Sequence, residues 1–205
     1  MAENNKKPAI RFDGFTDAWE QCELDEKVEF FSGLTYSPDN IVNSGGTFVL
    51  RSSNVKNDEI VNADNVYVDS SVVNSDNVKI GDVIVVVRNG SRDLIGKHAQ
   101  IKKEMDNTVI GAFMTGVRSS TPSFINALLS TSQFEIEIQK NLGATINQIT
   151  TGAFKKMRFF FPESVDERNA IGSFFSTLDR TITFHQRKLE KLQNIKKSLL
   201  EKMFV

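Results

Sequence analysis

"DERNAIGSFFSTLDRTITFHQRKLEKLQNIKKSLLEKMF", residues 166–204, contains no proline and one glycine, Gly172. Its apolar residues recur at alternating steps of four and three. The seam runs Ile171, Phe175, Leu178, Ile182, His185, Leu189, Leu192, Lys196, Leu199, Met203, and eight of these ten positions are apolar. A period of 3.5 residues is the coiled-coil repeat. A stripe of about 33 residues makes a rod of roughly 50 Å at 1.5 Å per residue. Such a rod is longer than the domain it would have to lie on, so the spacing predicts a partner helix. The alternative is a long amphipathic helix folded back on its own domain. His185 and Lys196 interrupt the seam, as polar residues do where they fix register at a cost in stability.

Upstream, between residues 19 and 161, the texture is different. "GTFVLRSS" (46–53), "EIVNADNVYV" (59–68), "NVKIGDVIVVV" (77–87) and "TVIGAFMTGV" (108–117) read as strands bounded by turn residues. "VNADNVYV" (61–68) and "VNSDNVKI" (73–80) resemble each other as two turn-then-strand units. One helix is predicted over 121–143, capped by Thr121 or Ser123 and ended by Gly143, after which residues 145–162 return to strand and Pro162 closes the domain. The fold class is α+β: a mixed, β-rich domain over 10–162, followed by one long C-terminal coiled-coil helix over 163–205.

Composition narrows the function classes. The chain has 205 residues, 40% of them hydrophobic, which suits one domain with a real core plus an appendage. No apolar run reaches the roughly 20 residues that span a bilayer, and "MAENNKKPAIRF" lacks a signal-peptide core, so a cytoplasmic protein with no membrane partner is expected. The lone Cys22 and the two histidines, His98 and His185, offer no disulfide and no structural zinc site. The formal net charge is −1, but residues 1–80 carry 7 basic and 14 acidic side chains, residues 81–165 carry 10 and 7, and residues 166–205 carry 8 and 5. That imbalance permits a basic face on a near-neutral protein.

Catalytic constellations are largely missing. The best nuclease-like pattern is Asp25-Glu26-Lys27 with Asp13 upstream, on an acidic segment with no apolar strand to mount it. No glycine loop leads into Lys-Ser or Lys-Thr, no glycine pair fits a dinucleotide fingerprint, and only His98 is free to serve as a base for a nucleophile. The expectation is a non-catalytic chain without a cofactor or metal of its own. Three loops do share a pattern, in which a β run ends in arginine followed by serine or asparagine. They are "LRSSN" (50–54), "RNGSR" (88–92) and "VRSST" (117–121). Arginine pairs bidentately with guanine, asparagine with adenine, and small hydroxyls with phosphate or base. The candidate DNA contacts are therefore Arg51, Ser52, Asn54, Arg88, Asn89, Ser91, Arg92, Lys97, Arg118 and Ser119. Taken singly, each loop is equally an Asx turn with a solvating arginine.

"IRFDGFTDAWEQCEL" (10–24) and "LDRTITFHQRKLEKLQNIKKSLLEKMF" (178–204), with "GDVIVVVRNGSRDLIGKHAQI" (81–101) between them, resemble the specificity subunit of type I restriction-modification systems. In that family two target recognition domains and two antiparallel helical regions make one subunit, each domain reading half of a split DNA target. The resemblance implies a half-length form with a single target recognition domain, whose partners are double-stranded DNA, a second copy of itself, methyltransferase subunits and the motor-nuclease restriction subunit. On this reading two copies pair through the seam by a two-fold axis and read an interrupted palindrome, and the associated subunits carry the chemistry. The alternative is a protein-interaction or decoy module that occupies methyltransferase subunits without reading DNA.

Overall fold

The computed structural model describes residues 5–143 and 146–204. In chain order the elements are β1 (Asn5–Lys6), β2 (Trp19–Glu23), β3 (Glu29–Ser32), β4 (Thr47–Leu50), β5 (Val55–Lys56), β6 (Glu59–Ile60), β7 (Val66–Val68), β8 (Val83–Val86), β9 (His98–Gln100), β10 (Thr108–Ile110) and β11 (Met114–Arg118). There follow α1 (Pro122–Leu129), α2 (Ser132–Asn141), α3 (Thr151–Lys155), β12 (Arg158–Phe161) and α4 (Val165–Met203). The architecture is α+β: small sheets in the N-terminal part and a long helix at the C-terminal end.

The β-branched run ending in Val87 does what its composition demands. All four residues of β8 are buried, because this strand is central in the sheet ordered β3-β11-β8-β9. Helices α1 and α2 cover that sheet through Phe124, Ile125, Leu129, Phe134 and Ile138, all buried in the main core. A second, smaller core of Leu34, Val49, Val68 and Val109 fills the sheet ordered β10-β4-β7. In that sheet β10 runs parallel to β4 while β7 is antiparallel to it.

Three expectations about elements need correction. The single helix over 121–143 is two helices, because Thr131 turns out of helical geometry and accepts a hydrogen bond from the Phe134 amide, capping α2 in mid-sequence. The strand expected over 145–162 is strand only at its end: Thr150 caps α3 by accepting from the Ala153 amide, and β12 occupies the last residues. Thr145, its first residue, lies outside the described residues, as does Val205. Of the two similar turn units only the first ends in a strand, β7; in the second, Val78 is buried and donates to the Thr108 carbonyl without extending a ladder.

Helix α4 has 39 residues, about 58 Å at 1.5 Å per residue. Ser164 caps it by accepting from the Glu167 amide. A side chain at Gly172 would meet the backbone of Phe124 at 2.6 Å and Ser123 at 2.9 Å, so glycine lets α4 cross α1 at backbone contact. Near the same turn Glu167 is fully buried and receives both Nε and Nη2 of Arg11, at 2.7 and 2.8 Å, and the Trp19 indole at 3.2 Å. The N-terminal stretch that precedes β2 is thus fastened to the base of the helix. Farther along, Arg187 reaches Glu59 on β6 at 3.0 Å. Beyond these attachments the helix carries its apolar stripe uncovered: Phe175 is 45% exposed, Leu189 56% and Met203 74%. The helix does not fold back over its whole length, and its long exposed seam fits a coiled coil. Ile171 is the exception, half-buried against the domain's own core.

Candidate nucleic-acid interface

Strand β8 ends at Val86, Val87 is still buried, and Arg88 is the first residue to emerge. The loop after it is held on both flanks. The Arg88 amide donates to the Phe113 carbonyl, and the Asn89 amide donates to the Asn147 carbonyl. The Asn147 side chain donates in turn to the Gly90 carbonyl at 3.0 Å. The Arg88 guanidinium lies over the Phe113 ring, 4.9 Å from its centroid, a cation–π contact that holds the cation at the surface without neutralising it. Gly96 closes the loop at φ +88°, a left-handed conformation that a side chain there would strain.

A second loop joins the first. Asn89 donates from its amide to Ser52 Oγ at 3.0 Å, while its carbonyl oxygen accepts from the Ser91 amide at 3.0 Å. This ties the turn after β8 to the turn after β4. Between the two turns lies a cleft of about 620 Å³ whose wall includes Tyr36, Arg51, Ser52, Asp64, Asn89 and Phe113. Arg51 is anchored there by a hydrogen bond to the Asp64 carbonyl. The result is a polar, arginine-bearing rim with aromatic side chains interleaved, fixed by the sheet behind it. Such a rim can donate to base edges and phosphates while presenting π faces for contact.

The structure sorts the ten candidate contacts. Arg88, Ser91, Arg92 and Lys97 are exposed, while Arg51 and Ser52 are half-buried at the cleft. Arg92 is held by Gln139 of α2, its Nη2 donating at 3.0 Å, which draws its head toward α2. Asn54 is a correction. It is fully buried, its amide donates to the Val61 and Ala63 carbonyls and the Asn65 side chain, and its own carbonyl accepts from the Arg51 amide at 2.9 Å. It builds the loop and offers nothing to a ligand. Asn89 is likewise a brace, with both ends of its amide engaged. Sequence alone could not separate a reading asparagine from a bracing one, since both stand next to arginine and serine in a turn.

Arg118 and Ser119 also need correction. In the β8–β11 pairing Met114 sits opposite Val86 and Val117 opposite Val83, so Arg118 leaves the sheet at the end away from Arg88. It makes a two-pronged pair with Asp82, 2.8 Å at each contact, and Asp82 is 1% exposed. Hydrogen bonding to Asp82 raises the Arg118 pKa above its ordinary value. Ser119 accepts from the Thr121 amide at 3.1 Å, leading into α1. This loop is structural. The nuclease-like residues fare similarly, with Glu26 accepting from the Glu23 amide to close a short turn. Among the described residues no group of three His, Cys, Asp or Glu side chains is placed to hold a metal ion, and no helix is long and apolar enough to cross a membrane. The residues that sequence reading missed are Tyr36, Asp64 and Phe113, which reach the cleft from loops with no arginine–serine signature.

The family described as type I restriction modification DNA specificity domain matches residues 16–194. The S subunit of a type I restriction-modification system from M. genitalium is 15% identical and superposes with a TM-score of 0.62 over 91% of this chain and 46% of its own. A chain described under complex assembly and conformational transition of the type I R-M system is 16% identical, with a TM-score of 0.66 over 97% of this chain and 47% of its own. The HsdS subunit from Thermoanaerobacter tengcongensis is 14% identical, with a TM-score of 0.59 over 91% and 43%. At these identities the likeness is one of fold. The chain spans about half the length of the solved structures it matches. No curated protein matches the sequence.

Proposed function

The chain belongs to the family of type I restriction-modification DNA specificity domains, and on that premise we propose that it reads one half of a bipartite DNA target and pairs with a second copy to read the other half. The observation that carries this is the hydrogen bond between Asn89 and Ser52, which makes two arginine-bearing turns into one rigid rim around a single cleft. Domain 10–162 does the reading, through Arg88, Ser91, Arg92 and Lys97 with Arg51 and Ser52 at the cleft. Helix residues 163–205 pair through Phe175, Leu178, Ile182, His185, Leu189, Leu192, Leu199 and Met203.

The chain supplies the address and no bond-breaking chemistry. Methyltransferase subunits dock on the paired helices, and the motor-nuclease subunit joins that assembly. Two domains on a shared two-fold axis specify an interrupted palindrome. The test is selection from a library of split palindromes with variable spacers, using the purified chain with and without its methyltransferase. Enrichment of one inverted half-site at one spacer length is the expected result. A complex that holds methyltransferase but retains every sequence equally at all salt concentrations would overturn the reading and leave an interaction module.

A further inference from the structure

The seam is palindromic in its spacing. Its steps run four, three, four, three and so on from Ile171 to Met203, and read the same backwards about position 187. An antiparallel partner in full overlap therefore sets Phe175 against Leu199, Ile182 against Leu192, and His185 against Leu189, pairing every layer. A parallel pair would also match every layer, each to its own copy, so it is charge that selects the antiparallel orientation. The distal half carries Arg187, Lys188, Lys191, Lys196, Lys197 and Lys202 against only Glu190 and Glu201, so parallel helices would set like charges side by side.

In the antiparallel register Met203 of one copy arrives at Ile171 of the other, the one seam residue its own domain already half covers. What stands exposed at that level comes from the N-terminal stretch. Phe12 packs edge-on against Phe174, centroids 5.9 Å apart, and Ile10, Phe12 and Phe174 are 91%, 41% and 48% exposed. Arg11, between Ile10 and Phe12, is fixed by Glu167, so this apolar group is held at the helix base. Asp13 and Asp17 lie exposed in the same stretch. The distal end of α4 is the complement, with Met203 74% and Phe204 76% exposed beside Lys202.

We propose that Ile10, Phe12 and Phe174 form a socket for the Met203–Phe204 end of a second copy's helix, so that each dimer is closed at both ends by the partner's N-terminal stretch. The proposal rests on the pairing proposed above, and it is independent of whether the cleft reads DNA. The experiment uses the full chain carrying Cys22→Ala, with Phe12→Cys and Phe204→Cys added singly and together, and mild copper-phenanthroline oxidation. Light scattering measures assembly and non-reducing gels measure linkage. The double variant is expected to run as a covalent dimer and neither single variant to do so. Phe12→Asp is expected to raise the dimer dissociation constant tenfold or more. A dimer by light scattering with no 12-to-204 linkage would overturn the socket while leaving the pairing intact. Efficient linkage of Phe204→Cys alone would show parallel helices and overturn it too, and a monomer at high concentration would overturn socket and pairing together.

Discussion

Two arginines that look alike in sequence, Arg88 and Arg118, sit in opposite physical situations. Arg88 is exposed and lies over the ring of Phe113, which lines the cleft, and Arg118 pairs with a buried carboxylate. Arg88→Ala is expected to cost about 1–3 kcal/mol in binding if the guanidinium pairs with a base, with discrimination lost at one position in each half-site. Fluorescence anisotropy on single-base variants of the selected target checks this, and a uniform loss over all sequences would assign Arg88 to phosphate. Arg118→Ala is expected to leave sequence preference unchanged and to destabilise the fold by about 2–4 kcal/mol, since Asp82 is left buried without its partner; urea unfolding measures it. The raised Arg118 pKa means that its contribution is complete below the ordinary arginine range and is lost only above it, so the pair adds no alkaline slope near neutrality. Cys22 behaves differently. Burial pushes its thiol up, so the unfolded chain ionises first and stability falls as pH rises through the thiol range. Comparing urea midpoints of the wild type and Cys22→Ala at neutral and alkaline pH is expected to show the steeper loss in the wild type.

At the scale of elements, what was legible in the sequence followed from how local its cause is. The period of α4 and the run of β8 repeat a single instruction over many residues, and both were readable. The break between α1 and α2 depends on one threonine capping a new helix in an uninterrupted apolar pattern, and the α3 turn depends on Thr150 doing the same. Single hydroxyls of this kind are common outside caps. The site was half legible for a related reason: a turn with Arg, Asn and Ser announces polar display, but whether a side chain faces solvent or its own backbone depends on contacts far apart in sequence. Ser52 and Asn89 are 37 residues apart and meet only in the fold. Gly172 is the one glycine in the helical stretch, and its role depends on α1, which is distant in sequence and packs against it. Gly172→Val is expected to force α4 off α1 and lower the melting temperature by several degrees, because the new side chain meets backbone that cannot yield. Circular dichroism on heating is the measurement, and an unchanged melting temperature would mean that the helix crossing is looser than its geometry.

For the whole molecule the decisive property is that α4 packs on the domain along its base, where Gly172 meets α1 and Ile171 joins the core, while its apolar stripe farther along has no core of its own. The apolar seam side chains from Ile182 onward are each more than half exposed, so they are open to change without unfolding the domain. In the proposed dimer Leu189→Asp places a carboxylate on the seam twice, and losing the two leucines that pairing would bury is worth about 3–6 kcal/mol before the cost of desolvating charge is added. That is a weakening of dimerisation by a factor of at least about 100. Light scattering is expected to report a monomer with unchanged circular dichroism, since α4 stays attached through Glu167, Gly172 and Arg187. DNA selection with this variant is expected to recover a single half-site with no fixed spacer, bound with lower affinity and a shallower salt dependence, because half of the phosphate contacts are gone. A split palindrome retained by a monomeric variant would mean that the spacing between half-sites is set by something other than the paired helices.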